Sequence, residues 1–540
     1  MQLSDYSFEQ LPFSELFKTY VSNFDALSDY YETNPFDEEA ITQKAEQFIF
    51  SGKRAKTVEL LRDFNQDFDL DQAAIDNLER LKSADSLAVV TGQQLGIYGG
   101  PLYTILKIIS TIWRARQLED ALNRPVIPIF WLADEDHDYD EVRKLSVVDN
   151  RSNEVEEFAL PPKDGDLPTV AELAVPSNIA DLQRGLKEHL YDTDFSDDLW
   201  QLLNGTFQSG VTFRQAFGNF INTLFSKHGL VLAGSNHTQI KDYSRQYLAE
   251  SVTKYEKIRE SLDTQTAAVA DTYHQQVTLY DSNLFYLDNA SGRTKVMHNG
   301  EGWQTDSGKE WSSEQLVNII NDNPEQFSPN VFLRPILQDA LLPTIGYVAG
   351  PGETAYYAQM KGMYSCFDLE MPVIFPRLSA TFVEPAIERI CKELPFEFHE
   401  YAKRIEDLES NFVDRTEDHD FETFFTDWKE KVQQLANPKK RDIVDIDPTL
   451  EGAVGKANAA YFNELDKLKG KVYRAVKQQE DTQLKRIRRI KANLFPDNEL
   501  QERRMAAIFY MNKYGTHIWD DLLKSLDEDE DFNRHKLIYL

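Results

Sequence analysis

The chain has 540 residues, 41% hydrophobic and 27% charged, enough to bury a large core divided among two to four domains. Its 58 basic against 90 acidic side chains leave a formal net charge of −32, and such a surface repels phosphate backbones and anionic lipid, which argues against nucleic-acid or membrane partners. Two cysteines, Cys366 and Cys391, make neither a disulfide framework nor a zinc set. The opening MQLSDYSFEQLPF lacks the cationic and apolar regions of a secretory signal, and no apolar stretch is long enough to span a bilayer. A cytoplasmic protein is expected.

Residues 1–86 read as helical, with amphipathic stretches such as EAITQKAEQFIF and AKTVELLRDFN. LAVV (87–90) then reads as a buried strand. It runs into TGQQLGIYGG, with Gly92, Gly96, Gly99 and Gly100, and Pro101 marks the start of a helix carrying Leu102, Ile105, Leu106, Ile108, Ile109 and Ile112. Strand, glycine loop and helix together aim backbone N–H groups at an anion. The spacing matches neither the Walker A loop nor the dinucleotide fingerprint, so the anion stays unnamed.

VIPIFWLA (126–133), GLVLAG (229–234) and MPVIFP (371–376) are further apolar strands of the kind a parallel sheet buries on both faces. Strands alternating with long helical patterns predict an α/β fold with a doubly wound parallel core. The intervals are too long for simple crossovers, so insertions are expected at about 141–228 and 235–345. The second contains QVTLYDSNLFYLDNASGRTKVMHNG, which reads as short strands joined by turns. After residue 381 the texture changes. Residues 382–435 are charged and helical, with an acidic stretch around Asp414. Over 448–492, Leu450, Val454, Tyr461, Leu465, Leu468, Val472 and Val476 recur at spacings of three, four and seven, a narrow stripe that suits an α-helical coiled coil. The predicted division is a core over 1–381, a coiled-coil domain over 382–500, and C-terminal helices over 501–540 packing back on the core.

Three clusters could carry chemistry. DEDHD (Asp134 to Asp138) follows a core strand, where ligands of open parallel sheets sit. It reads equally as an acid–base or metal site and as a helix cap with a solvated acidic turn. A metal would need further ligands, and no metal site is assigned. GYVAGPGETAYYAQM (346–360) combines a tight turn at Gly350–Gly352 with Glu353 at a helix start, and its tyrosines suit either a substrate wall or a buried loop. Arg334, in the apolar FLRPILQDALLPT, could pair with a carboxylate substrate. PRLSATFVE (376–384) offers Arg377 and Ser379 as a second phosphate clamp at the end of the fourth strand.

Taken in order, TGQQLGIYGGPLYTILK, PIFWLADEDHDYDEV, YVAGPGETAYYAQM, PVIFPRLSATFVE and LFPDNELQERRMAAIFYMNKYG resemble the BshC family, the cysteine-adding enzymes of bacillithiol biosynthesis. The resemblance implies a Rossmann-type core related to class I aminoacyl-tRNA synthetases and pantothenate synthetases, with a coiled coil used for homodimerisation. It implies a ligase that joins the carboxyl of cysteine to the amine of glucosaminyl-malate. ATP or another adenine nucleotide is then the expected cosubstrate, with any magnesium bound to the nucleotide. The synthetase HIGH and KMSKS sequences are missing; TGQQLGIYGGP and PRLSAT stand in their places.

On this reading Gly92, Gln93, Gln94, Gly96, Gly99 and Thr104 meet phosphate or carboxylate oxygens, with Lys107 one turn along the helix. Arg377 and Ser379 close on them. Asp136 and His137 lie where the incoming amine loses its proton, His137 being the better base near neutral pH. Tyr98, Arg334, Tyr347, Gly350 and Glu353 orient the substrates. Lys107, Arg334 and Arg377 are expected to converge on one pocket. Two other classes remain open: a nucleotide-binding coiled-coil scaffold without turnover, and a metal-dependent hydrolase built on DEDHD.

Overall fold

The computed structural model describes residues 1–163, 165, 168–288, 292–416, 421–526 and 530–540. Two compact units emerge, one formed by Met1–Phe382 with Gln501–Leu540 and the other by Val383–Leu500.

The first unit is organised by a five-stranded, all-parallel sheet. Its strands are β1 (Leu87–Gln93), β2 (Val126–Leu132), β3 (Val231–Gly234), β4 (Thr344–Ala349) and β5 (Val373–Pro376). The spatial order is β5-β4-β1-β2-β3. All seven residues of β2 are buried, as a strand covered on both faces requires. β4 was not foreseen as a strand: Gly346 inside it and the GPG turn after it mask an apolar run that joins β5 to β1. Gly346 has a packing cause, since a Cβ there would lie 2.4 Å from the Phe375 ring.

Helix α1 (Leu102–Leu122) packs against β1 and β2 and ends on Asn123 in the left-handed conformation (φ 49°), a regular way to close a helix. Three further helices of this unit matter to the site: α2 (Thr238–Thr253), α3 (Leu333–Leu341) and α4 (Pro351–Tyr357). The insertion between α2 and α3 folds into an antiparallel sheet. Its strands lie in the order Glu310–Trp311, Trp303–Thr305, Gly292–His298, Leu284–Asp288, Phe327–Pro329. Short strands joined by turns were expected there; the turn at 289–291 lies outside the described residues.

The two ends of the unit depart from the helical reading. Gln2–Tyr6 pairs antiparallel with His535–Tyr539, which also neighbours Ser379–Val383 in a three-stranded sheet.

The second unit is helical. α5 (Phe421–Ile446) and α6 (Glu451–Gln479) form an antiparallel hairpin, as the descending pairs Lys429–Asp466 and Lys440–Glu451 show. The helix expected to run unbroken over 448–492 instead stops at Glu480 (ψ 16°), and α7 (Asp481–Leu494) begins anew. Part of the acidic stretch near Asp414, residues 417–420, lies outside the described residues.

Candidate active site

The strand order reverses direction between β1 and β4, and in such sheets ligands collect beyond the carboxyl ends of the strands. Most residues singled out from the sequence lie at that edge, but they divide into a closed network and an open cleft.

The closed network surrounds the ends of β1, β4 and β5. Lys107, from α1, donates to the Gly92 carbonyl (2.6 Å) and the Gln93 side chain (3.2 Å), and pairs with Glu353 (2.6 Å). Glu353, in the first turn of α4, also accepts from the Gly350 N–H (2.7 Å) and the Tyr347 hydroxyl (2.7 Å). Burial opposes its ionisation, but Lys107 and these donors hold its carboxyl below the usual range. Arg377 forms a two-pronged pair with Glu502 (2.6 and 2.9 Å), a residue wholly buried in the C-terminal segment. Ser379 donates to the same carboxylate (2.9 Å) and meets His535 Nδ1 (2.9 Å). Arg334 donates to Gln338 (2.9 Å) and lies 5.7 Å from the centre of the Tyr347 ring. The three cations expected to converge therefore do gather about one strand end. Lys107 and Arg377 are neutralised there by Glu353 and Glu502, and Arg334 lines the smaller cavity described below.

The glycine loop is similarly closed. The Gly96, Gly99 and Gly100 N–H groups donate within the loop, and the Leu102 N–H at the start of α1 donates to Met505 O (2.8 Å). A Cβ on Gly96 would lie 2.7 Å from Gly100 Cα, and one on Gly92 would lie 2.9 Å from Trp131 O. These glycines thus allow backbone to approach backbone, which needs no ligand. Tyr98 is buried against Phe207 (5.0 Å). Thr104 is buried too, and its hydroxyl has no partner. Tyr356, Tyr357 and Gln359 are also buried.

The open cleft lies past β2 and β3. A cavity of about 890 Å³ is lined by His137, Thr169, His237, Lys241 and Arg293 among others. Beside it a second, of about 350 Å³, is lined by Trp131, Asp136, Phe285, Val331 and Arg334. Glu135 and Arg293 line both.

DEDHD builds this cleft one residue at a time. Asp134 Oδ1 accepts from the Ser235 and Asn236 N–H groups (3.0 Å each), tying the end of β2 to the loop after β3. Burial, reinforced by the neighbouring Glu135 charge, pushes its carboxyl up to about 7. Glu135 pairs with Lys241 of α2, which also donates to the Phe327 carbonyl of the insertion sheet. Asp136 accepts from its neighbours' N–H groups (His137 2.7 Å, Asp138 3.2 Å) and from Gln94 (2.5 Å). His137 Nδ1 donates to the Glu135 carbonyl (3.0 Å), so neutral His137 carries its lone pair on Nε2. Burial and then the Arg293 charge lower its pKa, so the imidazole is neutral at pH 7. Asp138 caps the short helix Tyr139–Val142. The helix-cap reading is thus realised at Asp138, while His137 and Glu135 line the larger cavity. Among the described residues no cluster of three or more His, Cys, Asp or Glu could hold a metal.

Sequence reasoning missed Glu135 as a site residue, together with Lys241 and Arg293. Glu135 lay inside a quoted motif. Lys241, on α2, and Arg293, on the insertion sheet, carry no local signal, because only the fold brings them to the cleft.

Two family descriptions match end to end. "Bacillithiol biosynthesis BshC, N-terminal Rossmann-like domain" covers residues 1–378, and "Bacillithiol biosynthesis BshC, C-terminal coiled-coil domain" covers 380–540. The chain belongs to the BshC family. Similar BshC proteins carry the name "Putative cysteine ligase BshC". That of Salinibacter ruber is 33% identical, covering 96% of this chain and 95% of its own. Those of Chlorobaculum tepidum (31%; 88% and 87%) and Geobacillus kaustophilus (30%; 90% and 90%) follow. The Rossmann-like part falls within the parallel-sheet unit, and the coiled-coil part spans the helical unit together with Gln501–Leu540, which the contacts assign to the parallel-sheet unit. No helix among the described residues is long and apolar enough to cross a membrane.

Proposed function

We propose that this protein is a cytoplasmic ligase that forms an amide between the carboxyl of cysteine and the amine of glucosaminyl-malate, giving bacillithiol. The supporting observation is the pair of adjoining cavities past β2 and β3 that share Glu135 and Arg293, with neutral His137 at the larger one. The volumes, about 890 and 350 Å³, suit one larger and one smaller organic substrate. The family relationship supplies the reaction class.

A free carboxylate is a poor electrophile, so the reading includes activation by ATP or another adenine nucleotide with its magnesium. Arg293 is the residue best suited to meet the nucleotide's phosphates or a substrate carboxylate: it is held by Ser328 Oγ (3.1 Å) and Pro329 O (3.2 Å), and no described carboxylate lies within ion-pair distance. His137 Nε2 takes the proton released as the amine attacks. The protein acts as a homodimer through its helical unit, where Leu435, Ile446, Tyr461 and Leu468 leave apolar surface exposed.

The test is turnover. Purified protein incubated with magnesium, ATP, cysteine and glucosaminyl-malate should yield bacillithiol by mass spectrometry, with one nucleotide consumed per product. Nucleotide binding without product would favour the scaffold reading instead.

A further inference from the structure

We propose that the smaller cavity is an α-amino-acid subsite: Glu135 receives the ammonium group, Arg293 and the Trp131 indole N–H receive the carboxylate, and Phe285 with Val331 wall off a short side chain. The inference rests on the ligase reading for the choice of cysteine, but the geometry behind it is independent.

Two buried polar groups on the wall of this cavity have unmet hydrogen-bonding capacity. Glu135 is 8% exposed and its Oε1 is held by Lys241, yet Oε2 has no partner. Trp131 is 1% exposed and its Nε1–H also has none. Leaving such groups unpaired is costly, and native structures keep few of them without a reason. One is an anionic acceptor and the other a neutral donor, so their demands are opposite. A ligand that answers both must carry a donor, best a cation, close to an acceptor, best an anion. Arg293 adds a fixed positive charge, its guanidinium stacked 3.7 Å from the centre of the Phe285 ring.

Of the other polar side chains of the wall, Asp136 is occupied by Gln94 and two backbone N–H groups, Arg334 by Gln338, and Asn330 by Asn283 and the Phe332 and Leu333 N–H groups. Ser235 and Tyr280 complete the polar part, and the apolar part is Ala133, Phe285, Pro329 and Val331. About 350 Å³ lies near the lower end for organic-ligand sites. A small zwitterion with a short, weakly polar side chain fits this description, and cysteine is such a molecule. A sugar acid with two carboxylates does not.

The experiment is calorimetric titration of the full-length protein under reducing conditions with L-cysteine, with 3-mercaptopropionate (no ammonium) and with cysteamine (no carboxylate). Cysteine should bind at least about tenfold more tightly than either analogue. Glu135→Gln should raise the Kd and KM for cysteine by about ten- to a hundredfold, the range for a charged hydrogen bond. Val331→Phe leaves every charged group in place and fills the wall, so it should weaken cysteine binding by at least as much. It decides the matter if Glu135→Gln proves unfolded by circular dichroism. Equal binding of 3-mercaptopropionate and cysteine, or unchanged cysteine affinity in folded Val331→Phe, overturns the subsite. If bacillithiol forms but neither variant alters the cysteine KM, the subsite fails and the ligase reading stands. If cysteine binds in the expected pattern and no bacillithiol forms, the ligase reading fails and the subsite stands.

Discussion

Arg377 offers the sharpest separation of architecture from chemistry. Its guanidinium faces Glu502 in two parallel hydrogen bonds, and both residues are buried, Glu502 completely. In Arg377→Met the Glu502 charge is left in the interior with only the Ser379 hydroxyl and the Ala380 N–H to solvate it. Breaking a buried pair in this way costs about 3–5 kcal/mol. The unit that contains the pair has roughly 420 residues, for which unfolding entropies of about 2.1 cal/mol/K per residue translate each kcal/mol into about 1 °C of Tm. Arg377→Met should therefore melt about 3–5 °C below the parent by scanning calorimetry. Arg377→Met with Glu502→Leu removes both charges and should recover much of the loss. It should still fall about 1–3 kcal/mol short, because the Ala380 N–H then has no acceptor. Turnover measured well below the transition should stay within a few-fold of the parent in both. A folded Arg377→Met protein with an unchanged Tm and a hundredfold loss of turnover would refute this reasoning and return Arg377 to the reacting atoms.

Four further outcomes follow from the same geometry. Folded Asp134 keeps its proton up to a pKa of about 7, whereas an unfolded aspartate loses it near 3.8; its burial thus costs progressively more stability as pH rises between those values, to a limit of about 4 kcal/mol. Asp134→Asn should flatten that decline, so the parent-minus-variant difference in urea-derived stability should change between pH 4 and 7; parallel profiles would count against it. His137→Gln should lower kcat by about 10²–10⁴-fold, and the parent-to-variant ratio of kcat/KM, in which the substrate amine's own ionisation cancels, should be level from pH 7 upward, since the group titrates below its ordinary 6.5; a ratio still rising above pH 7 would exclude His137 as the base. Burial raises both cysteine thiols, Cys391 to about 12, so neither is a thiolate nucleophile at pH 7; Cys366→Ser with Cys391→Ser should turn over normally. Replacing residues 383–500 with a short linker should give a monomer by light scattering, and a dimer would show that the helical unit is not what joins the protomers.

The sequence made some of this legible and hid the rest for identifiable reasons. β1, β2, β3 and β5 announce themselves as continuous apolar runs because a parallel sheet covers both faces. β4 is equally buried, yet its glycine and the following GPG read locally as a turn. Gln2–Tyr6 and His535–Tyr539 are short, mix polar and apolar residues on both faces, and find partners only across the length of the chain. At the site, the position of DEDHD after a strand located the cleft. That Glu135 is held by Lys241 beside the insertion sheet, with one oxygen unpartnered, is reported by nothing nearby in sequence. The glycine loop misled for a different reason: glycine signals close approach without saying whether the approaching group is a ligand or the chain itself.

The pairing of Gln2–Tyr6 with His535–Tyr539 sets an order of events during synthesis. The first strand leaves the ribosome roughly 530 residues before its partner, an interval of about half a minute to two minutes at ~5–20 residues per second. Throughout that time its hydrogen-bonding edge is open, while the helical unit at 383–500 emerges in full. His535–Tyr539 is the middle strand of the three and arrives after both of its neighbours. Carboxyl-terminal trimming by a protease would therefore remove the piece that joins the other two, and a short cut there should unravel the sheet from its centre.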